Sequence, residues 1–134
     1  MNLVDTSGWI EYFFGAPNAA HFARLIEDTG NLIVPVTCLY EVFKKVHSVG
    51  SEAQALLAVA QMRLGRVCPL TEDLALSAAL ISLRHGMPMA DSMILATARA
   101  QNAVLWTQDE HFRGLPGVEY LEAACRRPKE GKKR

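Results

Sequence analysis

The chain has 134 residues, half of them apolar and 21% charged, enough for one compact domain with a true core and too few for a second. Fourteen Lys and Arg balance fourteen Asp and Glu, so no global charge announces nucleic acid or a membrane surface; residues 126–134, with six Lys or Arg against one Glu, read as a basic, disordered tail on an acidic body at 1–125. No charged leader precedes an apolar stretch, no apolar run approaches the roughly 20 residues of a membrane helix, and Cys38, Cys68 and Cys125 show neither CxxC spacing nor a disulfide framework, which points to reduced thiols in a cytoplasmic protein.

Met1 to Asp5 reads as a short buried strand that ends on an acid. Ser7 to Phe14 follows as a short helix carrying Trp9, Ile10, Phe13 and Phe14; Gly15-Ala16-Pro17 breaks it, and Pro17 opens a second helix in which Phe22, Leu25 and Ile26 keep helical spacing. Leu32-Ile33-Val34-Pro35 is a compact apolar strand, and Thr37 is placed to cap a helix that Gly50 stops after Val49. Ser51 restarts a helix through Leu64, apolar on more than one face, and Gly65 separates it from a weak strand at Arg66-Val67-Cys68. Thr71 or Glu72 begins the next helix, which reaches about His85 with Gly86 as its stop. Met89 to Gln101 is an alanine-rich helix, Ala103 to Thr107 a well-formed strand, and Gly117 to Leu121 an edge strand. Strands alternating with helices predict an α/β fold, a three-layer sandwich whose central, mainly parallel sheet is covered on both faces.

Four acids, Asp5, Glu41, Asp91 and Asp109, fall where a predicted strand ends or a predicted helix begins. Ligands of open α/β sheets bind outside the carboxyl ends of the strands, and carboxylates gathered there suit a hard, oxygen-liganded cation such as magnesium or manganese. Each acid alone has a simpler role. Asp5 and Asp109 can cap the turns that follow them. Glu41 can pair with Lys45 four residues on. Asp91 resists that treatment, because Ile94, Leu95 and Ala98 recur after it at three- and four-residue spacing and put it at the head of the face that packs on the sheet, where a charge needs a partner. Two carboxylates about 5 Å apart repel by roughly 3 kcal/mol at an effective dielectric near 20, a cost that a divalent cation relieves. The four histidines, His21, His47, His85 and His111, form no pair at metal-ligand spacing and read as solvated or satisfied locally; a contact with a substrate phosphate is the alternative for His111.

Leu3-Val4-Asp5-Thr6-Ser7, then Glu41, then Ala90-Asp91-Ser92-Met93-Ile94-Leu95-Ala96-Thr97-Ala98, then Thr107-Gln108-Asp109-Glu110-His111-Phe112 together resemble the PIN-domain family, especially the VapC-type toxins of bacterial and archaeal toxin–antitoxin pairs. The resemblance spans residues 1 to about 121, and its most specific parts are the helix motif around Asp91 and the Thr-x-Asp-x-x-Phe motif. It implies a PIN-like domain at 1–125 that acts as an endoribonuclease dependent on Mg2+ or Mn2+, cutting single-stranded or loop RNA such as tRNA or rRNA. Asp5, Glu41, Asp91 and Asp109 would hold the metal, with Thr6, Ser7 and Thr107 as supporting hydroxyls. A cognate VapB-like antitoxin and a homodimer are the implied partners.

Lys44, Lys45 and Arg99 lie on the helices that carry Glu41 and Asp91 and are the candidate RNA contacts. Trp9, Tyr12, Phe13, Phe14, Phe22, Leu25 and Ile26 are candidates for an antitoxin groove as well as for the core, and the Ser51 to Leu64 helix for a dimer contact. The alternative function is a catalytically weak PIN-fold protein that binds RNA or a partner. A phosphatase of the haloacid dehalogenase type expects Asp-x-Asp-x-Thr after the first strand, and Asp5-Thr6-Ser7 lacks the second Asp.

Overall fold

Five short strands form one sheet in the computed structural model, which describes residues 1–124; the basic tail and Cys125 lie outside the described residues. The strands are β1 (Asn2–Val4), β2 (Leu32–Pro35), β3 (Arg66–Cys68), β4 (Val104–Thr107) and β5 (Val118–Tyr120). They lie in the order β3-β2-β1-β4-β5 with every neighbouring pair parallel. β1 is central, with Leu3 in register with Ile33 on one side and Leu105 on the other. Strands covered on both faces need apolar side chains on both, and Leu3, Val4, Leu32, Ile33, Val34 and Leu105 are all buried.

Six helices connect the strands: α1 (Thr6–Phe13), α2 (Ala19–Ile26), α3 (Val36–Val49), α4 (Glu52–Met62), α5 (Glu72–His85) and α6 (Met89–Ala100). The chain steps from β1 outward to β3 through α1–α4, then crosses back through α5 and α6 to β4. Right-handed crossovers put the first four helices on one face and the last two on the other, giving the three-layer α/β/α sandwich. The direction of strand addition reverses between β1 and β4, which makes the crevice at their carboxyl ends the switch point of the sheet.

Local signals set most of the boundaries. The Ser51 side chain caps α4 by accepting from the Gln54 N–H, and Thr71 caps α5 by accepting from the Leu74 N–H. Gly86 ends α5 in the left-handed region at φ 64, where its N–H reaches the Ser82 carbonyl at 2.8 Å. Thr37 is not the cap of α3. The helix begins at Val36 with Pro35 in the cap position and no side-chain cap, because the extended φ of −65 and ψ of 143 at Pro35 turn β2 directly into the helix. Gly8 allows α1 to press against the sheet: a Cβ there would stand 2.5 Å from Val4 Cγ1 and 2.8 Å from the Phe22 ring.

Candidate metal centre

β1 and β4 are hydrogen-bonded neighbours, and each is followed at once by a helical turn with an acid at its cap. Asp5 caps α1, its Oδ1 accepting from the Gly8 N–H at 3.0 Å. Asp109 caps the short turn Glu110–Phe112, its Oδ1 accepting from the His111 N–H at 2.9 Å. The capping roles read from the sequence are therefore real, and the same two carboxyls stand side by side at the switch point.

Asp5 is 1% exposed and is held by three donors. Besides Gly8, Ser7 Oγ donates to Oδ1 at 2.7 Å and Thr107 Oγ1 donates to Oδ2 at 2.7 Å. Thr107 Oγ1 also accepts from the Asp109 N–H at 2.9 Å, so one buried hydroxyl ties the end of β4 to the end of β1. Ser7 Oγ in turn accepts from the Gln108 N–H at 3.2 Å. Thr6 Oγ1 donates to Glu41 Oε1 at 2.5 Å, which draws α3 to the start of α1. The surface ion pair of Glu41 with Lys45 does not form; the Glu41 carboxylate turns to Thr6 instead.

Asp91, in the first turn of α6, has 15% of its side chain exposed. His111 Nδ1 lies 2.7 Å from Asp91 Oδ2 and 3.2 Å from Asp109 Oδ1. The sequence reading of His111 as solvated or satisfied locally needs correction: its ring is exposed on one side, but its nitrogen bridges two acids that are 18 residues apart in the chain. One ligand atom from each of Asp91, Asp109 and His111 falls within 4.8 Å of the others.

The electrostatics are those of a site with excess negative charge. Burial pushes the Asp5 carboxyl up from 3.8 to about 6 against its three hydrogen bonds, with the Asp109 charge adding to the rise. Asp91 is also raised, first by burial and then by Asp109, with a smaller push from Glu41; His111 offsets part of this. The negative charge of Asp109 and the hydrogen bond to Asp91 hold the His111 imidazole above its ordinary value. Among the described residues no Lys or Arg forms an ion pair with any of the four acids. One buried and three half-buried carboxylates without a Lys or Arg partner, with an imidazole among them, are a donor set that fits a divalent cation. Beneath them Cys38 is wholly buried, its Sγ 3.7 Å from Thr6 Oγ1, and burial foremost lifts its thiol well above the usual range.

An open cleft of about 450 Å³ lies beside Glu41, the one of the four acids in its lining, and is lined also by Thr6, Ser7, Tyr40, Lys44 and Lys45. Lys44 and Lys45 are thus on its wall, near Glu41. Tyr40, 65% exposed with Lys44 Nζ 5.7 Å from its ring centre, is a wall residue that the sequence reading passed over. Arg99 sits in the last turn of α6, eight residues or about 12 Å along the axis from Asp91, and is not brought to the acids. Of the candidate groove residues, Trp9, Phe22 and Ile26 belong to the core, whereas Phe13 and Phe14 line an apolar groove with Val46, Val49, Leu57 and Ala58.

The chain is thus a parallel α/β sandwich that gathers acids from four segments at the switch point of its sheet, a donor set that could hold a cation. Residues 3–118 match the PIN domain, and the chain belongs to the PIN-domain family. No curated protein matches the sequence. Among solved structures it is similar to a toxin–antitoxin complex from Klebsiella pneumoniae, at 22% identity and a TM-score of 0.75 over 91% of this chain and 99% of that one. It is similar to a VapC toxin of Mycobacterium tuberculosis described as cleaving the sarcin-ricin loop, at 20% identity and a TM-score of 0.72 over 92% and 98% of the two chains. A DNA-bound VapBC complex from Salmonella typhimurium matches at 17% identity and a TM-score of 0.69 over 91% and 98%.

Proposed function

We propose that the protein is a metal-dependent endoribonuclease of the VapC type, acting on single-stranded or looped RNA and restrained by a cognate antitoxin. The observation that carries this reading is the meeting of Asp5, Asp91 and Asp109, with Glu41 acting on Asp91 through its charge, at the switch point of a PIN-domain sheet. Asp91 and Asp109 would hold Mg2+ or Mn2+ with Asp5 and Glu41 beside them. When bound, the cation lowers the pKa of water and offsets charge that builds on the scissile phosphate. The chain supplies the rest. Thr107, Ser7 and Gly8 orient the Asp5 carboxylate, and Thr6 orients Glu41. Lys44 and Lys45 on the wall of the cleft offset the acidity that an approaching polyanion meets, and unpaired backbone bends into such a cleft more readily than a duplex does.

The apolar groove beside Phe14 is the proposed seat of an antitoxin helix, and Leu56 and Leu64, exposed on or just after α4, are available to a second copy. No helix among the described residues is long and apolar enough to cross a membrane. The test is cleavage of end-labelled total RNA by the purified protein with Mg2+ or Mn2+, with chelator, and with Asp91→Asn. Cuts that need the metal, leave 5′-phosphates and vanish in the variant support the reading; cuts that survive chelator and variant, or no cuts in any RNA, refute it.

A further inference from the structure

The contact that the family resemblance does not account for is His111. Its backbone is fixed: Asp109 caps the turn, Phe112 anchors it in the core at 0% exposure, and the Phe112 N–H reaches the Asp109 carbonyl at 3.1 Å. The turn fixes the origin of the ring, and contact with the two acids sets the ring itself. Its Nδ1 is 2.7 Å from Asp91 Oδ2 and 3.2 Å from Asp109 Oδ1. Adjacent ligand atoms on an octahedral cation with bonds near 2.1 Å are about 3 Å apart, so these two separations match two edges of a coordination polyhedron, and all three ligand atoms lie within 4.8 Å of one another. The other acids are more committed. Both oxygens of Asp5 accept hydrogen bonds, and Glu41 accepts from Thr6, whereas His111 is the only hydrogen-bond partner of the Asp91 carboxylate among the described residues.

Resting on the reading of this centre as a metal site, we propose that His111 is itself a ligand, donating Nδ1 to the cation alongside Asp91 and Asp109. This makes the centre a mixed nitrogen and oxygen site. Mg2+ favours oxygen ligands and keeps its waters, while imidazole favours first-row transition ions. The site consequently selects Mn2+ over Mg2+ more strongly than four carboxylates would. A hydrogen bond from His111 that merely orients Asp91 would act differently, helping both cations to the same degree.

The experiment separates the two. The full chain, stripped of metal, is titrated with Mn2+ alone and with Mg2+ alone by calorimetry, as wild type, His111→Ala and Asp91→Asn, and pulsed EPR of the wild-type Mn2+ complex is examined for coupling to nitrogen. The expected result is 14N coupling in the wild type, its loss in His111→Ala, and a fall in Mn2+ affinity at least roughly tenfold greater than the fall in Mg2+ affinity. Absence of nitrogen coupling, or equal weakening of both ions, overturns the proposal. The first readout needs no variant, so it does not depend on how His111→Ala folds. If Asp91→Asn abolishes binding while His111→Ala leaves the ion preference intact, the ligand role fails and the metal-site reading stands; if the wild type binds neither ion, both fail.

Discussion

Without metal the fold should lose stability as pH rises, with the largest resolved part set by Asp5. The folded value of about 6 lies above the ordinary value of 3.8. A group raised in this way favours the folded state most fully below its unfolded value, and that advantage is lost as pH climbs through the folded value. At about 1.36 kcal/mol per unit the whole effect is about 3 kcal/mol, of which about 1.4 kcal/mol falls between pH 5 and pH 8. For a domain of this size that corresponds to roughly 5 °C in Tm. Asp91 and His111 are raised too and carry the same sign, so the wild-type drop exceeds the Asp5 share. Thermal melts of chelator-treated protein at pH 5 and pH 8, run beside Asp5→Asn, measure it. The variant should have a visibly flatter pH dependence, and saturating Mn2+ at pH 8 should restore the wild type by binding only the folded state. A metal-free wild type that melts no lower at pH 8 than at pH 5, or falls no further than Asp5→Asn, would sink the argument.

Asp91→Asn should lower metal-supported RNA cleavage by about a hundredfold or more, some 3 kcal/mol of lost charge stabilisation, while the metal-free melting temperature stays equal or rises. Thr107→Val removes the donor to Asp5 Oδ2 and the acceptor for the Asp109 N–H, and urea denaturation should report a loss of about 1–3 kcal/mol that Thr107→Ser largely avoids. Gly8→Ala, which in an open helix would gain up to about 1 kcal/mol, should instead lose about 1–3 kcal/mol in the same assay, because the added methyl meets Val4 and Phe22. The pair Lys44→Ala and Lys45→Ala should raise KM for RNA with little change in kcat and make cleavage less sensitive to added salt, read from initial rates at two ionic strengths.

The order of elements and the position of the acids were legible because the signals are local: an apolar run closed by an acid, Ser51 and Thr71 as caps, and Gly86 as a stop. The same locality explains where the reading failed. Thr37 has the chemistry of a cap, but the conformation at Pro35 starts α3 before Thr37 can serve. Glu41 has Lys45 at ion-pair spacing within its own helix, yet Thr6, 35 residues away, takes its carboxylate. His111 shows no ligand spacing in one dimension; its place depends on α6 and the turn after β4 meeting across the end of the sheet. The hint available was its position two residues after a capping Asp, where the turn carries the ring back toward the cap. Tyr40 carries no motif at all, and only its exposure beside Lys44 singles it out.

The placement of β1 between β2 and β4 has a consequence for how the protein comes into being. Asp5 and Asp109 are 104 residues apart in the chain, with β2 and β3 between them in sequence, yet a buried hydroxyl on Thr107 joins them. A chain interrupted before β4 holds three of the four acids, but one edge of its first strand is unpaired and Asp5 lacks the donor to Oδ2. Such a fragment lacks Asp109 and the Thr107 hydroxyl that orients Asp5. The Asp5 and Asp109 pair is therefore assembled only when β4 has docked beside β1, so the centre depends on the whole sheet and on no local segment of it.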